Sequence, residues 1–185
     1  RRAALGPWSA TNVGSMDAEQ LHGLLDFSEM TAIVTGGTRG IGRAIAEGLA
    51  VGGANVVVAS RKPEACAETE AHLVSLGAEA FGLPINMGDS DAAEELVSTT
   101  VERFGGLSIV INNAANALAA PIGSQTDVTW QKSFEVNLRG PALLTQAAVP
   151  HLEAAEHASV INVISVGAFQ FARGVSMYAA MKAGL

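Results

Sequence analysis

The chain has 185 residues, 49% of them hydrophobic, enough for one domain that buries most of the surface its unfolded form exposes. Eleven basic residues against eighteen acidic ones leave a formal net charge of −7, which argues against nucleic acid or an anionic membrane as a general partner. The single cysteine, Cys66, rules out an internal disulfide, and no apolar run approaches the length of a membrane span, so the cytoplasm is the expected location.

Residues 1–24 stand outside the pattern that follows, and Arg1 to Ser15 are rich in small and turn-forming types. They read as an N-terminal extension, in part an expression scar with Met16 as the native start, or as a natural leader. The organised domain is expected over 25–185.

A short apolar strand at 31–35 runs into Thr35, Gly36, Gly37, Thr38, Arg39, Gly40, Ile41 and Gly42, and then into a helix at 40–52. Each glycine has a use in such a turn: reversal at Gly36, close backbone approach to a phosphate at Gly40, helix packing on the strand at Gly42. The helix aims its unpaired amides and positive dipole end at the turn, which makes an anion site. Ile41, Ile45 and Leu49 are placed on one apolar face.

A second strand at 54–59 ends at Ser60, followed by Arg61 and Lys62. Sites that read the ribose hydroxyls of NAD carry an acidic residue there, about 20 residues past the glycines. Ser60 is no acid, and Arg61 with Arg39 offers two guanidinium groups to a 2′-phosphate, so NADP(H) is expected in preference to NAD(H). A helix at 63–76, a strand at 79–85 ending in Ile85, Asn86 and Met87, and a helix at 90–104 come next.

A strand at 107–112 leads into Asn112-Asn113-Ala114-Ala115, and one long helix at 126–152 carries Asn137. The apolar run Val160, Ile161, Val163 and Ile164 reads as a buried strand at 159–164, with Ser165 at its carboxyl end, where open α/β sheets place ligands. In the last helix, 176–185, Tyr178 and Lys182 are four apart and share a face. A neighbouring ammonium favours the phenolate, so the pair suits acid–base work at neutral pH. The alternation of strand and helix predicts a Rossmann-like α/β fold, a doubly wound parallel sheet with helices on both faces.

The Thr35-Gly-x-x-x-Gly-x-Gly42 turn, Asn112-Asn113-Ala114-Ala115, Asn137, Ser165 and Tyr178-x-x-x-Lys182 resemble, in order and spacing, the single-domain branch of the short-chain dehydrogenase/reductase family, its 3-oxoacyl reductases included. The likeness runs from about Leu25 to Leu185. It implies Tyr178 as acid–base group, Lys182 lowering its pKa and, with Tyr178, contacting the cofactor at the nicotinamide ribose, Ser165 polarising a substrate carbonyl, and Asn137 supporting a water that relays protons to Lys182. By the same likeness Asn112 ties strands together, and Asn113, Ala114 and Ala115 lie against the adenosine. Ala115 stands where the family usually carries glycine, and Asn86-Met87 replaces its usual Asp-hydrophobe pair beside the adenine, where Asn86 retains hydrogen-bonding capacity. No metal is implied.

The resemblance further implies a ketone or secondary alcohol as substrate and a homodimer or homotetramer. The helix around Pro141 to Val149 carries more apolar surface than one sheet face needs. The segment that covers the substrate and the final strands of that fold follow the Tyr-x-x-x-Lys helix and are absent from these 185 residues. Phe169, Phe171 and Met177 hint at an apolar pocket wall. A nucleotide-sugar epimerase is disfavoured by the glycine spacing and the length; a nucleotide-binding protein without catalysis, or an inactive truncated product, is the alternative.

Overall fold

The computed structural model describes residues 23–170 and 173–185; the expected extension up to residue 22, Met16 with it, and Phe171 lie outside the described residues. Five strands form one parallel sheet: β1 (Thr31–Thr35), β2 (Asn55–Ser60), β3 (Ala80–Pro84), β4 (Ile109–Asn112) and β5 (Ser159–Asn162). Their order is β3-β2-β1-β4-β5. The chain therefore winds outward from β1 in one direction and, after β3, crosses back to lay β4 on its other side. The reversal opens a crevice at the carboxyl ends of β1 and β4, the place where such sheets take ligands.

Helices α1 (Gly40–Val51) and α2 (Pro63–Ser75) cover one face, and α3 (Ala92–Phe104) and α5 (Gly140–Ala154) cover the other. Side chains alternate across the strands, so Ala32, Val34, Val56, Val58, Ile109 and Ile111 meet Ala46, Leu49 and Leu73 on the first face. Ile33, Val57 and Val110 meet Leu96, Val97, Leu144 and Ala148 on the second. A strand buried on both faces has to read as a continuous apolar run, and β1 is buried at all five positions. Each fully buried Leu, Ile or Val contributes about 1.5–3 kcal/mol relative to exposure.

Three expectations are corrected. The long helix at 126–152 is instead α4 (Asp127–Phe134), a π-helical turn Glu135–Arg139 and α5. A π turn holds one residue more than an α turn, and here it carries long-range hydrogen bonds from Asn137 to Asn116 and from Arg139 to Gly88 that sequence periodicity does not show. The run Val160–Ile164 is not buried: β5 is the edge of the sheet and all four of its residues are exposed, Ile161 at 51%. Ile41 does not join the α1 core face; it is 65% exposed, and that face is Gly42, Ala46, Leu49 and Ala50.

The last two elements carry the expected chemistry. Ser165 opens a short 3₁₀ turn, Val166–Ala168, and α6 (Ser176–Gly184) bears Tyr178 and Lys182.

Candidate active site

At the crevice between β1 and β4 lies a cleft of about 370 Å³. One wall is the glycine turn, with Gly36, Thr38, Arg39, Gly40, Ile41 and Gly42 on its lining. A second is the end of β2, with Ser60 and Arg61; a third is Asn86 and Met87 after β3; a fourth is Asn113, Ala114 and Ala115 after β4. The structure thus brings together thirteen of the residues expected to contact a cofactor. Ala59, Ile85, Asn116 and Val136 complete the lining.

The turn has the backbone that its glycines permit. Gly36 and Gly40 have φ of +64° and +55°, a left-handed conformation that favours residues without a Cβ. Gly42 is required for another reason, since a Cβ there would meet the Gly36 carbonyl oxygen and the Asn113 side-chain amide. Arg39 precedes α1 as its N-cap with no side-chain cap, so the first amides of the helix are left for an anion.

Thr35 and Asn113 fix the turn across the switch point. The Thr35 hydroxyl donates to the Ile111 carbonyl at 3.1 Å and accepts from the backbone N–H groups of Asn113 and Ala114, both at 3.0 Å. Asn113 Nδ2 donates to the Thr35 carbonyl at 2.8 Å and to that of Gly36 at 3.2 Å. Thr35 was visible in the motif as a strand end; its role as a three-bond hub comes from pairing β1 with β4. At the β2 wall, Thr38 Oγ1 donates to Ser60 Oγ at 3.1 Å. Arg39 and Arg61 are exposed on the rim, free to approach a phosphate.

Asn112 is buried and ties strands together as expected, donating to Asn162 Oδ1 at 2.8 Å and to Thr145 Oγ1 at 3.3 Å. Asn137 is fully buried in the π turn, and its carboxamide is taken up by Asn116 and Ser133.

The groups expected to do chemistry lie beside this cleft rather than on its lining. Lys182 is only 2% exposed, and its Nζ donates to the Val163 carbonyl at 2.8 Å. Burial draws its pKa below the ordinary lysine value. That bond ties α6 to the chain two residues before Ser165. Ser165 Oγ accepts from the Gly167 N–H at 3.1 Å, so its own hydrogen remains for a substrate oxygen. Tyr178 is half-buried on α6, one turn from Lys182, and its hydroxyl makes no hydrogen bond to Ser165 or Lys182. Met177 is buried under α6 and Phe169 is 78% exposed, so neither forms a pocket wall among the described residues.

The model of the short chain dehydrogenase family matches residues 30–185. The chain belongs to the short-chain dehydrogenase/reductase family. It is 39% identical over 155 residues to human dehydrogenase/reductase SDR family member 4, an alignment covering 83% of this chain and 56% of the human protein. Against the short-chain dehydrogenase/reductase SDRA of Arabidopsis thaliana the identity is 37%, covering 83% of this chain and 60% of the relative. Among solved structures, a dehydrogenase/reductase from Sinorhizobium meliloti superposes with a TM-score of 0.85 at 31% identity, covering 90% of this chain and 66% of that one. The chain spans about 56–60% of the length of these two curated relatives. The family is one of oxidoreductases that bind a nicotinamide cofactor and act on small molecules.

Proposed function

We propose that this chain supplies the cofactor site and the proton-transfer group of an NADP(H)-dependent oxidoreductase, which moves a hydride between the nicotinamide and a ketone or secondary alcohol. The observation that carries the reading is the cleft itself, where a glycine turn, an uncapped helix start and two exposed arginines face one crevice. Glycine turn and helix amides suit a pyrophosphate. Ser60 with Arg39 and Arg61 suits a 2′-phosphate and offers no carboxylate to ribose hydroxyls. The cofactor supplies the hydride.

The residues of this chain have the remaining work. Ser165 donates a hydrogen bond to the substrate oxygen and Tyr178 exchanges its phenolic proton with it. Lys182, whose ammonium is held at the Val163 carbonyl, follows one helical turn after Tyr178 on the same helix. Tyr178 and Lys182 also contact the nicotinamide ribose in this reading. The side chain of Asn137 is committed to Asn116 and Ser133, so the water relay toward Lys182 falls to its backbone carbonyl. The exposed Val128, Trp130, Phe134 and Val149 of α4 and α5 support a homodimer or homotetramer, and the absence of a membrane-length apolar helix among the described residues is in keeping with a cytoplasmic enzyme.

The test is oxidation of NADPH with a panel of ketones, set against Tyr178→Phe. A positioned acid–base group contributes about 10²–10⁴-fold, and the variant is expected to lose that factor while still binding NADPH. Equal rates for both proteins would end the catalytic reading. Because Tyr178 makes no bond to Ser165 or Lys182, the second reading is a nucleotide-binding chain without catalysis. It predicts cofactor binding with no turnover in either protein.

A further inference from the structure

The π turn Glu135–Arg139 touches both sides of the cleft. Val136 lines it, Asn137 holds the segment after β4, and Arg139 holds the segment after β3. The last contact was not anticipated from sequence. Arg139 Nη2 donates to the Gly88 carbonyl at 2.6 Å. The neighbouring Gly140 fits against the Met87 carbonyl, where a Cβ would come to 2.5 Å, and a Cβ on Gly88 would meet Val136 at 3.2 Å. The loop after β3 is thus seated on the π turn from end to end.

Gly88 links Arg139 to the cleft. Its carbonyl accepts from Arg139, and its N–H donates to Asn86 Oδ1 at 3.3 Å. Asn86 Nδ2 donates to Asp89 Oδ1 at 2.8 Å, which fixes the plane of the carboxamide. Asn86 Oδ1 keeps a second lone pair and Nδ2 a second hydrogen, one acceptor and one donor on the cleft wall. That pair matches a purine edge carrying an exocyclic amino group.

We propose that Arg139 is a positioning residue for the base-binding end of the cleft, acting through Gly88 on the carboxamide of Asn86; this rests on reading the cleft as a dinucleotide site. Arg139 holds the loop at a cost a packing role would not require. Its Nε is enclosed without a partner, and an apolar side chain would fill the same space with no orphaned donor. A local rule broken beside a ligand cleft points to a role in that cleft.

The experiment compares binding of NADP⁺ and of its hypoxanthine counterpart, in which a keto oxygen replaces the amino group, by calorimetry on the full 185-residue chain. The wild type is expected to prefer the adenine form. Asn86→Ala and Arg139→Met are each expected to cut that preference about threefold to tenfold, the worth of one hydrogen bond, and the double variant to cut it no further. Arg139→Lys, which retains a donor for the Gly88 carbonyl, is expected to keep part of it, and decides alone if Arg139→Met fails to fold.

Variants of Arg139 that weaken both dinucleotides equally, with the preference intact, would overturn the proposal, as would a wild type indifferent to the base. A wild type that binds neither dinucleotide would instead remove the dinucleotide reading beneath it.

Discussion

Asn137 and Asn116 hold each other reciprocally. The Asn116 backbone N–H donates to Asn137 Oδ1 at 3.0 Å, while Asn137 Nδ2 donates to the Asn116 carbonyl at 3.0 Å and to its Oδ1 at 2.7 Å. Ser133, one turn earlier, brings its carbonyl to 2.9 Å from the same Nδ2, whose two hydrogens are shared among these three acceptors. The Asn137 side chain is therefore a clamp on the cleft wall after β4.

Replacing Asn137 by Ala removes the side-chain partner of the Asn116 N–H and carbonyl in a part-buried place. The expected cost is about 1–3 kcal/mol of stability, read by urea denaturation, together with weaker cofactor binding. Asn137→Asp keeps the acceptor but turns a carboxylate oxygen toward the Asn116 and Ser133 carbonyls. It is expected to be worse than Ala; the reverse order would show that the acceptor half of the clamp carries it.

Two glycines of α1 make a matched test of the turn. Gly42→Ala drives a methyl group into the Gly36 carbonyl and the Asn113 amide, both held by other bonds, and overpacking of that kind costs about 1–3 kcal/mol. Gly48→Ala meets nothing within 4 Å and removes backbone entropy, so it is expected to stabilise by about 0.5–1 kcal/mol. Thermal unfolding of both variants should shift in opposite directions, and a neutral Gly42→Ala would contradict the close packing of helix on turn.

How far the sequence could be read follows from the range of the interactions. The five strands, α1, α2 and α3 were legible because their signals are local: apolar runs, Gly punctuation, and Pro63 at the first turn of α2. The cleft was legible because its walls are the ends of successive strands, and the winding of the fold gathers them. The break at Glu135–Arg139 was not, since its cause is Asn137 reaching Asn116 and Arg139 reaching Gly88, 51 residues back. The exposure of β5 is that of the last strand on its side of the sheet in these 185 residues, at the end of the order β3-β2-β1-β4-β5. Thr35, Asn116 and Ser133 went unassigned because a small polar residue declares no partner.

On the proposed function, cofactor choice turns on Ser60, Arg39 and Arg61, which line the cleft. A hydrogen bond to a charged group contributes about 1.5–3 kcal/mol, so Arg39→Ala with Arg61→Ala is expected to raise the KM for NADPH by about tenfold to a hundredfold and leave that for NADH nearly unchanged. Both arginines are exposed, so the wild-type preference should shrink as salt is added. Ser60→Asp is expected to reverse the preference by repelling the phosphate and accepting from ribose hydroxyls. Equal KM values for the two cofactors in the wild type would remove the phosphate reading.

Lys182 gives the pH dependence. Desolvation draws its folded-state pKa below the value near 10.4 that a lysine has in the unfolded chain. Between the two pKa values the unfolded state binds more protons than the folded one, so stability rises with pH across that window, by at most about 1.4 kcal/mol per unit. Above the window the contribution is complete; as pH falls through the folded pKa it is lost, and at lower pH both states carry the proton and the slope vanishes. Lys182→Met abolishes the term. The difference in unfolding free energy, wild type minus variant, is therefore expected to grow with pH up to about 10.4 when both proteins are unfolded in urea from neutral to alkaline pH. A difference that stays flat or falls over that range would mean that the Val163 carbonyl, at 2.8 Å, offsets the whole cost of burying the ammonium.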